Sequence, residues 1–216
     1  MEIHDFAPAP NARKVRAVAY ELGLNPTFVT VNLVKGEARS PENLAMNPNA
    51  KVPWLVDGDL VLWESNAIIS YLAAITPGQK LMPSEPKRRA DVERWMYWQA
   101  AHQLPALGRL AYERFVKKLF GDTSGPDEKM VGAAQKELAT SCEILDKSLT
   151  GKEYVAGTLS LADFAIAALF TARELAGVDL APYANVNAWQ LRIEARDSMK
   201  RALADASAAV AAAQAR

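Results

Sequence analysis

The chain has 216 residues, half of them hydrophobic, with 25 Lys and Arg balancing 25 Asp and Glu; this is enough for one large domain or two modest ones, and it gives no global electrostatic reason to expect nucleic acid or an anionic membrane as partner. A single cysteine, Cys142, excludes an intramolecular disulfide and a cysteine-rich metal site, and the two histidines, His4 and His102, stand far apart, so no metal site is expected. The start lacks a basic stretch followed by an apolar one, and no segment approaches the roughly 18 uninterrupted apolar residues of a spanning helix, so a cytoplasmic location is expected.

Residues 2–6 predict a short strand, and Pro8 and Pro10 then interrupt regular structure. Val15, Val18, Ala19 and Leu22 recur at helical spacing up to Gly23, which stops that helix. Thr27 to Val31, β-branched and aromatic, predicts a second strand. Ser40 to Met46 suits a short helix entered through Pro41. Trp54-Leu55-Val56 and Val61-Leu62-Trp63 flank Asp57-Gly58, a hairpin signature. Ser65 to Ala74 reads as a helix with Ile68, Ile69 and Leu72 on its apolar face. The order βαβαββα predicts an α/β layer on a small sheet.

Residues 78–87, carrying Gly78, Pro83 and Pro86, form the linker between a domain at 1–77 and an all-helical domain at 88–216. A long helix is expected from Arg88 to about Leu119, bent near Pro105. Further helices are expected at Glu128–Leu149, Leu161–Ala176, Ala188–Arg196 and Met199–Ala213. The third of these five is apolar throughout and belongs at the centre of a core, whereas the alanine-rich last one has little bulk to bury and is expected to fray.

Two short motifs carry chemistry. In Lys51-Val52-Pro53-Trp54 the proline opens a strand and cannot donate to a ladder, while Val52 is pushed to an extended conformation. An extended Val52 offers its N–H and C=O to a peptide-like ligand, as an added strand would use them; the same tetrapeptide also fits an ordinary edge strand. Glu64-Ser65 opens the next helix. Ser65 suits the N-cap, where N–H groups attract a carboxylate, and Glu64 adds a negative charge that suits an amine. Together they suit an α-amino acid group, and a plain helix cap beside a solvated acid is the alternative.

Val52-Pro53, a hairpin and then Glu64-Ser65-Asn66-Ala67-Ile68 resemble the glutathione site of the cytosolic glutathione transferase superfamily, bacterial type. The resemblance runs over nearly the whole chain. Asn47-Pro48-Asn49-Ala50-Lys51 is similar to the family's approach to its cis-proline, and Ser160 with Asp163 is similar to the cap of its buried helix, a folding element. The resemblance implies a thioredoxin-like first domain, an all-α second domain and homodimerisation. It implies that Glu64 and Ser65 hold the γ-glutamyl amine and carboxylate, and that Val52 pairs with the cysteinyl backbone with Pro53 cis. Lys51 and Arg39 align near the glycyl end, although both also suit a solvated surface. Glutathione is then the co-substrate, with no covalently bound cofactor, and a small hydrophobic electrophile or a disulfide is its reaction partner. The family's second substrate lies between its domains, where Trp95, Tyr97, Trp98, His102, Leu107, Tyr112 and Phe115 on the long helix serve either as pocket wall or as core.

The thiol-activating residue departs from the commoner patterns. The family places it just after the first strand, in Phe6-Ala7-Pro8-Ala9-Pro10-Asn11 here. Phe6 has no hydroxyl, Ala9 stands where a serine-type enzyme has Ser, and Cys142 is distant. Asn11 remains: its amide N–H donates to a thiolate, and it lies at the start of the first helix, although a simple capping role is open as well. The Ala-Pro-x-Pro-Asn pattern is similar to the nu-class branch, which uses a Thr and an Asn and reduces disulfides with two glutathione molecules. The expected activity is therefore glutathione conjugation or glutathione-dependent disulfide or peroxide reduction. Ala9 keeps open a non-catalytic member of the fold that binds a ligand or protein partner.

Overall fold

The computed structural model describes residues 1–214. Its first elements follow the expected order: β1 (Glu2–Asp5), α1 (Pro10–Glu21), β2 (Thr27–Thr30), α2 (Pro41–Met46), β3 (Trp54–Asp57), β4 (Leu60–Trp63) and α3 (Ser65–Ala74). The strands form one sheet in the order β2-β1-β3-β4. β1 runs parallel to β2 and antiparallel to β3, so Ile3 lies opposite both Phe28 and Leu55. Period-2 alternation sorts the central strand: Ile3 and Asp5 are fully buried, while His4 points the other way and stacks on the Trp54 ring at 5.0 Å. The hairpin is one residue tighter at each strand than its sequence suggests. Asp57 pairs with Leu60, which leaves Gly58 and Asp59 as the turn, with Gly58 at φ 60.

The first helix starts earlier than the apolar spacing predicts, at Pro10, where a missing N–H is harmless. It is also buried all round: Ala12 to Ala19 are inside, including Arg13, Lys14 and Arg16. Val15, Val18, Ile68, Ile69 and Leu72 are fully buried where α1 and α3 meet. The outer side of α1 is covered by the C-terminal helix.

That helix, α10 (Asp197–Gln214), stays helical to Gln214. Its alanines permit close approach, with Met199 and Ala202 fully buried. Its charges do the anchoring: Asp205 accepts from Arg16 (2.9 Å) and from the Tyr20 hydroxyl, Arg201 lies over the Tyr20 ring at 3.9 Å, and Ser198 donates to Glu21 at 2.6 Å. Low bulk is therefore compensated by directed polar contacts, which hydrophobic periodicity does not register. The chain accordingly divides into a unit of Met1–Gln79 with the segment from Ala195 onward, and a unit of Lys80–Glu194.

The second unit contains α4 (Pro86–Trp98), α5 (Leu104–Ala111), α6 (Lys117–Leu119), α7 (Glu128–Ser148), α8 (Leu161–Phe170) and α9 (Ala184–Glu194). α4, α5 and α6 are one helical path interrupted by π-helical turns at Gln99–Gln103 and Tyr112–Val116. The first of these turns immediately precedes Leu104-Pro105, and a proline inside a helix removes one backbone hydrogen bond. α8 is buried from Leu161 through Phe170, the centre of this unit. It ends sooner than expected, and Thr171–Gly177 turn away.

The start of α8 depends on Asp163. Its carboxylate accepts from the Ser160 N–H (2.8 Å), the Ser160 hydroxyl (2.9 Å), the Val155 N–H (3.0 Å) and Trp189 Nε1 (2.9 Å). Asp163 and Ser160 are 0% and 1% exposed, so none of these donors has water as a substitute. Asp163→Ala is therefore expected to cost about 3–5 kcal/mol. Trp189→Phe, which removes a single donor, should cost clearly less. Urea unfolding of the two variants checks the ranking, and equal losses would contradict it.

Candidate functional site

The loop ahead of β3 is built by one side chain. Asn47, 3% exposed at the end of α2, donates from Nδ2 to the Lys51 carbonyl at 2.7 Å. Its Oδ1 accepts from the Asn49 N–H at 3.1 Å and from the Asn49 amide at 3.0 Å. With Ala50 turned to φ 52, this delivers the chain to a cis Val52–Pro53 bond and a buried Pro53. Pairing in β3 begins only at Trp54. Among the described residues, neither the N–H nor the carbonyl of the half-buried Val52 has a partner. A half-buried backbone edge with both groups unspent is the edge a further extended chain pairs with.

The turn from β4 into α3 is tight. Glu64 takes φ 71 and ψ 109, a left-handed conformation costly for a side-chain-bearing residue, and it is Glu64 rather than Ser65 that occupies the N-cap position. Ser65 is the first residue inside the helix. Its hydroxyl does not cap the backbone; it accepts a hydrogen bond from Lys14 Nζ at 2.9 Å. Lys14 Nζ also donates to Asn66 Oδ1 at 2.7 Å. The Glu64 side chain is exposed.

Lys14, a positive charge whose direction the sequence leaves open, is 1% exposed. Burial drives its ammonium down from the ordinary lysine value of 10.5 to about 7, while the Glu64 carboxylate pulls the other way. The signal that marks it is positional. Lys14 sits three residues after Asn11, hence on the same face of α1, roughly 4.5 Å further along the axis. The helix that starts at the candidate sulfur site thus reaches the start of α3.

Asn11 is the second residue of α1, not its cap. Ala9 is the N-cap and offers no side-chain hydrogen bond. The Ala9 carbonyl accepts from the Ala12 and Arg13 N–H groups, both at 3.0 Å, and Pro10 has no N–H. The Asn11 N–H keeps no partner among the described residues, and Asn11 Oδ1 is buried without one. Arg13 turns back to the Pro8 carbonyl at 3.2 Å and braces the loop. Lys51 and Arg39 are exposed, and neither side chain is tied by a hydrogen bond or ion pair to the rest of the described residues.

The second unit holds a shallow cavity of about 180 Å³ lined by Leu110, Leu138, Cys142, Val178 and Tyr183 among others. Burial, reinforced by Asp146 and Glu143, pushes the Cys142 thiol up to about 12, so it is a packing residue rather than a nucleophile. On the long helix, Trp95 and Leu107 are core residues, at 6% and 3% exposure, while Tyr97 and Tyr112 are exposed. Among the described residues no helix is long and apolar enough to cross a membrane.

The chain matches the family models for the glutathione S-transferase N-terminal domain over residues 1–74 and for the C-terminal domain over residues 105–197. It is 32% identical to glutathione S-transferase 3 of Zea mays over 210 residues, covering 94% of this chain and 93% of that one. It is 30% identical to glutathione S-transferase D7 of Drosophila melanogaster over 192 residues, covering 88% and 82%. The structure superposes on the crystal structure of glutathione transferase F7 from Populus trichocarpa with a TM-score of 0.86 at 26% identity, covering 95% and 98%. The four-stranded sheet with its helices and the all-helical unit agree with these matches, and the chain belongs to the glutathione S-transferase family.

Proposed function

We propose that this chain is a glutathione transferase of the bacterial, nu-class-like type, in which Asn11 and the open first turn of α1 stabilise the glutathione thiolate. The observation that carries this reading is the pair of unspent groups at Val52, one residue before Pro53, together with the Ser65 hydroxyl at the opening of α3. The cysteinyl backbone of glutathione pairs with the Val52 N–H and C=O as a short antiparallel strand. Its γ-glutamyl carboxylate lies at Ser65 and the first-turn N–H groups of α3, and its ammonium faces Glu64. Lys51 and Arg39, exposed and unengaged, supply positive charge toward the glycyl carboxylate.

Ala9 in place of a hydroxyl residue has a physical consequence. With no capping side chain at Ala9, and with the Ala12 and Arg13 N–H groups already taken by its carbonyl, the Asn11 N–H is the first-turn donor left to an anion. The Asn11 N–H and its side-chain amide are then donors for a thiolate, which lowers the thiol pKa by favouring the charged form. The thiolate attacks an electrophilic carbon, forming the S–C bond while the leaving group departs with its electron pair. With a disulfide, the first glutathione forms a mixed disulfide and expels one thiolate, and a second glutathione resolves it to oxidised glutathione. Glutathione is the co-substrate, and no covalently bound cofactor takes part. The exposed Val61 and Trp63 on edge strand β4 favour a homodimer, and the balanced charge favours a cytoplasmic enzyme without nucleic-acid or membrane partners.

Ser65→Ala and Glu64→Ala should each weaken glutathione binding by about tenfold or more, read by calorimetric titration. Unchanged affinity in both sinks the assignment. Asn11→Ala should raise the pKa of the bound thiol, followed through the ultraviolet absorbance of the thiolate against pH. A titration curve indistinguishable from the parent's removes Asn11 from the role. A panel of an aromatic halide, a hydroperoxide and a small disulfide then ranks the three activities.

A further inference from the structure

The most unusual side chain near the candidate site is one that family resemblance does not single out. Lys14 is fully enclosed, yet a lysine is among the residues least often buried, because its ammonium loses water that is hard to replace. It sits with Nζ on two consecutive residues of the first turn of α3, 2.9 Å from Ser65 Oγ and 2.7 Å from Asn66 Oδ1. Arg13, its neighbour in sequence, turns instead to the Pro8 carbonyl.

Hydrogen-bond polarity gives this contact meaning. A serine hydroxyl has one proton to donate and lone pairs with which to accept. Lys14 uses the accepting side of Ser65. The Ser65 proton then needs an acceptor, and none of the described residues provides one. Ser65 is 9% exposed, so an unspent donor there is costly until an acceptor arrives. A carboxylate offers two charged acceptor oxygens, whereas a carboxamide offers one neutral oxygen beside an NH2 group that only donates.

We infer that Lys14 is a positioning residue that orients the Ser65 hydroxyl outward as a donor and thereby makes the site selective for a free α-carboxylate on the γ-glutamyl group of glutathione. This rests on the reading of Ser65 as the γ-glutamyl site given above. The relay runs from Lys14 Nζ–H to Ser65 Oγ, and from Ser65 Oγ–H to the carboxylate oxygen. The charged amine has no lone pair, so it can only donate to Ser65 and the direction of the relay is set. When the amine is charged, the bound carboxylate gains an enclosed cation close behind the hydroxyl. Asn66 holds the amine from the other side and keeps it aimed at the helix opening. Burial that draws the ammonium to about 7 leaves it responsive to a carboxylate placed beside it.

The test is a ratio. Dissociation constants are measured by calorimetry for glutathione and for an analogue whose γ-glutamyl α-carboxylate is a carboxamide. The parent should prefer the acid by about tenfold or more. Lys14→Met should bring the two affinities to within about threefold, and Lys14→Arg should restore most of the preference. Combining Lys14→Met with Ser65→Ala should reduce the preference no further than Ser65→Ala alone, because one residue acts through the other. A lysine that only supports the fold would weaken both ligands equally and leave the ratio intact, which overturns the proposal. Should the Met variant fail to fold, Lys14→Gln is read on the same ratio, and an unchanged preference there overturns it equally. A parent without preference for the acid overturns the Ser65 assignment itself, whereas a preference abolished by Ser65→Ala and kept by Lys14→Met overturns only the role of Lys14.

Discussion

Arg16 is the group on which the first unit depends. Its Nε and one terminal nitrogen grip the fully buried Asp5 of β1 at 2.7 and 2.9 Å. The other terminal nitrogen reaches Asp205 of α10 at 2.9 Å, and its guanidinium lies 3.9 Å from the Phe28 ring of β2. Burial alone disfavours the cation, and the Asp5 carboxylate more than offsets this, holding the guanidinium above its ordinary range. A buried ion pair of this kind often adds little net stability compared with apolar groups of the same volume, but removing one partner strands the other at a cost of about 3–5 kcal/mol. What it supplies is position. The bidentate fork fixes the rotation of α1 against β1, and each residue of a helix turns the next by about 100°. Lys14 faces the start of α3 while Arg16, two residues on, faces Asp5.

With α1 fixed in this way, the candidate site is assembled from groups the fold leaves unspent. Folded chains satisfy nearly all their buried backbone donors and acceptors. Several of the exceptions here lie at the candidate site: the Val52 peptide groups, the Asn11 N–H and the Ser65 hydroxyl proton. The arrangements that produce them are themselves specific. Asn47 clamps the loop so that Val52 stays outside β3, Ala9 declines to cap α1, and Lys14 occupies only the accepting side of Ser65. A peptide carrying a carboxylate, an extended backbone and a thiolate meets each of these groups with a complementary one.

Much of this is legible in sequence because it is carried by local rules. Strand alternation, the Asp57-Gly58 turn, Pro41 and the prolines at 83 and 86 yield the βαβαββα order and the change to helices without reference to any contact. Under the proposed function, Val52-Pro53 and Glu64-Ser65 mark the peptide and carboxylate ends of the candidate site. What sequence reading misplaces is decided by tertiary neighbours. The alanine-rich tail has the periodicity of a weak helix, yet Asp205, Arg201 and Ser198 find partners on α1 nearly the whole chain away. Ser65 has the composition of an N-cap, but the left-handed turn at Glu64 moves the helix start by one residue and hands the hydroxyl to a lysine 51 positions earlier. The direction of Lys14 is not readable from sequence because nothing in one dimension says that α1 is enclosed on every side.

The local costs of this region then have a common explanation. Left-handed backbone at Ala50 and Glu64, an enclosed amine at Lys14 and unspent polar groups at Val52 and Ser65 are each unfavourable for the folded chain by itself. They lie on the loop ahead of β3, on the first helix and at the start of α3, while the start of α8 in the other unit shows the opposite pattern, a carboxylate that accepts from four donors. Asp163 is arranged to need nothing more; Ser65 is arranged to need an acceptor. A helix opening becomes a binding site, rather than a cap, when the residue behind it takes the wrong half of its hydrogen-bonding capacity for stability and the right half for a ligand.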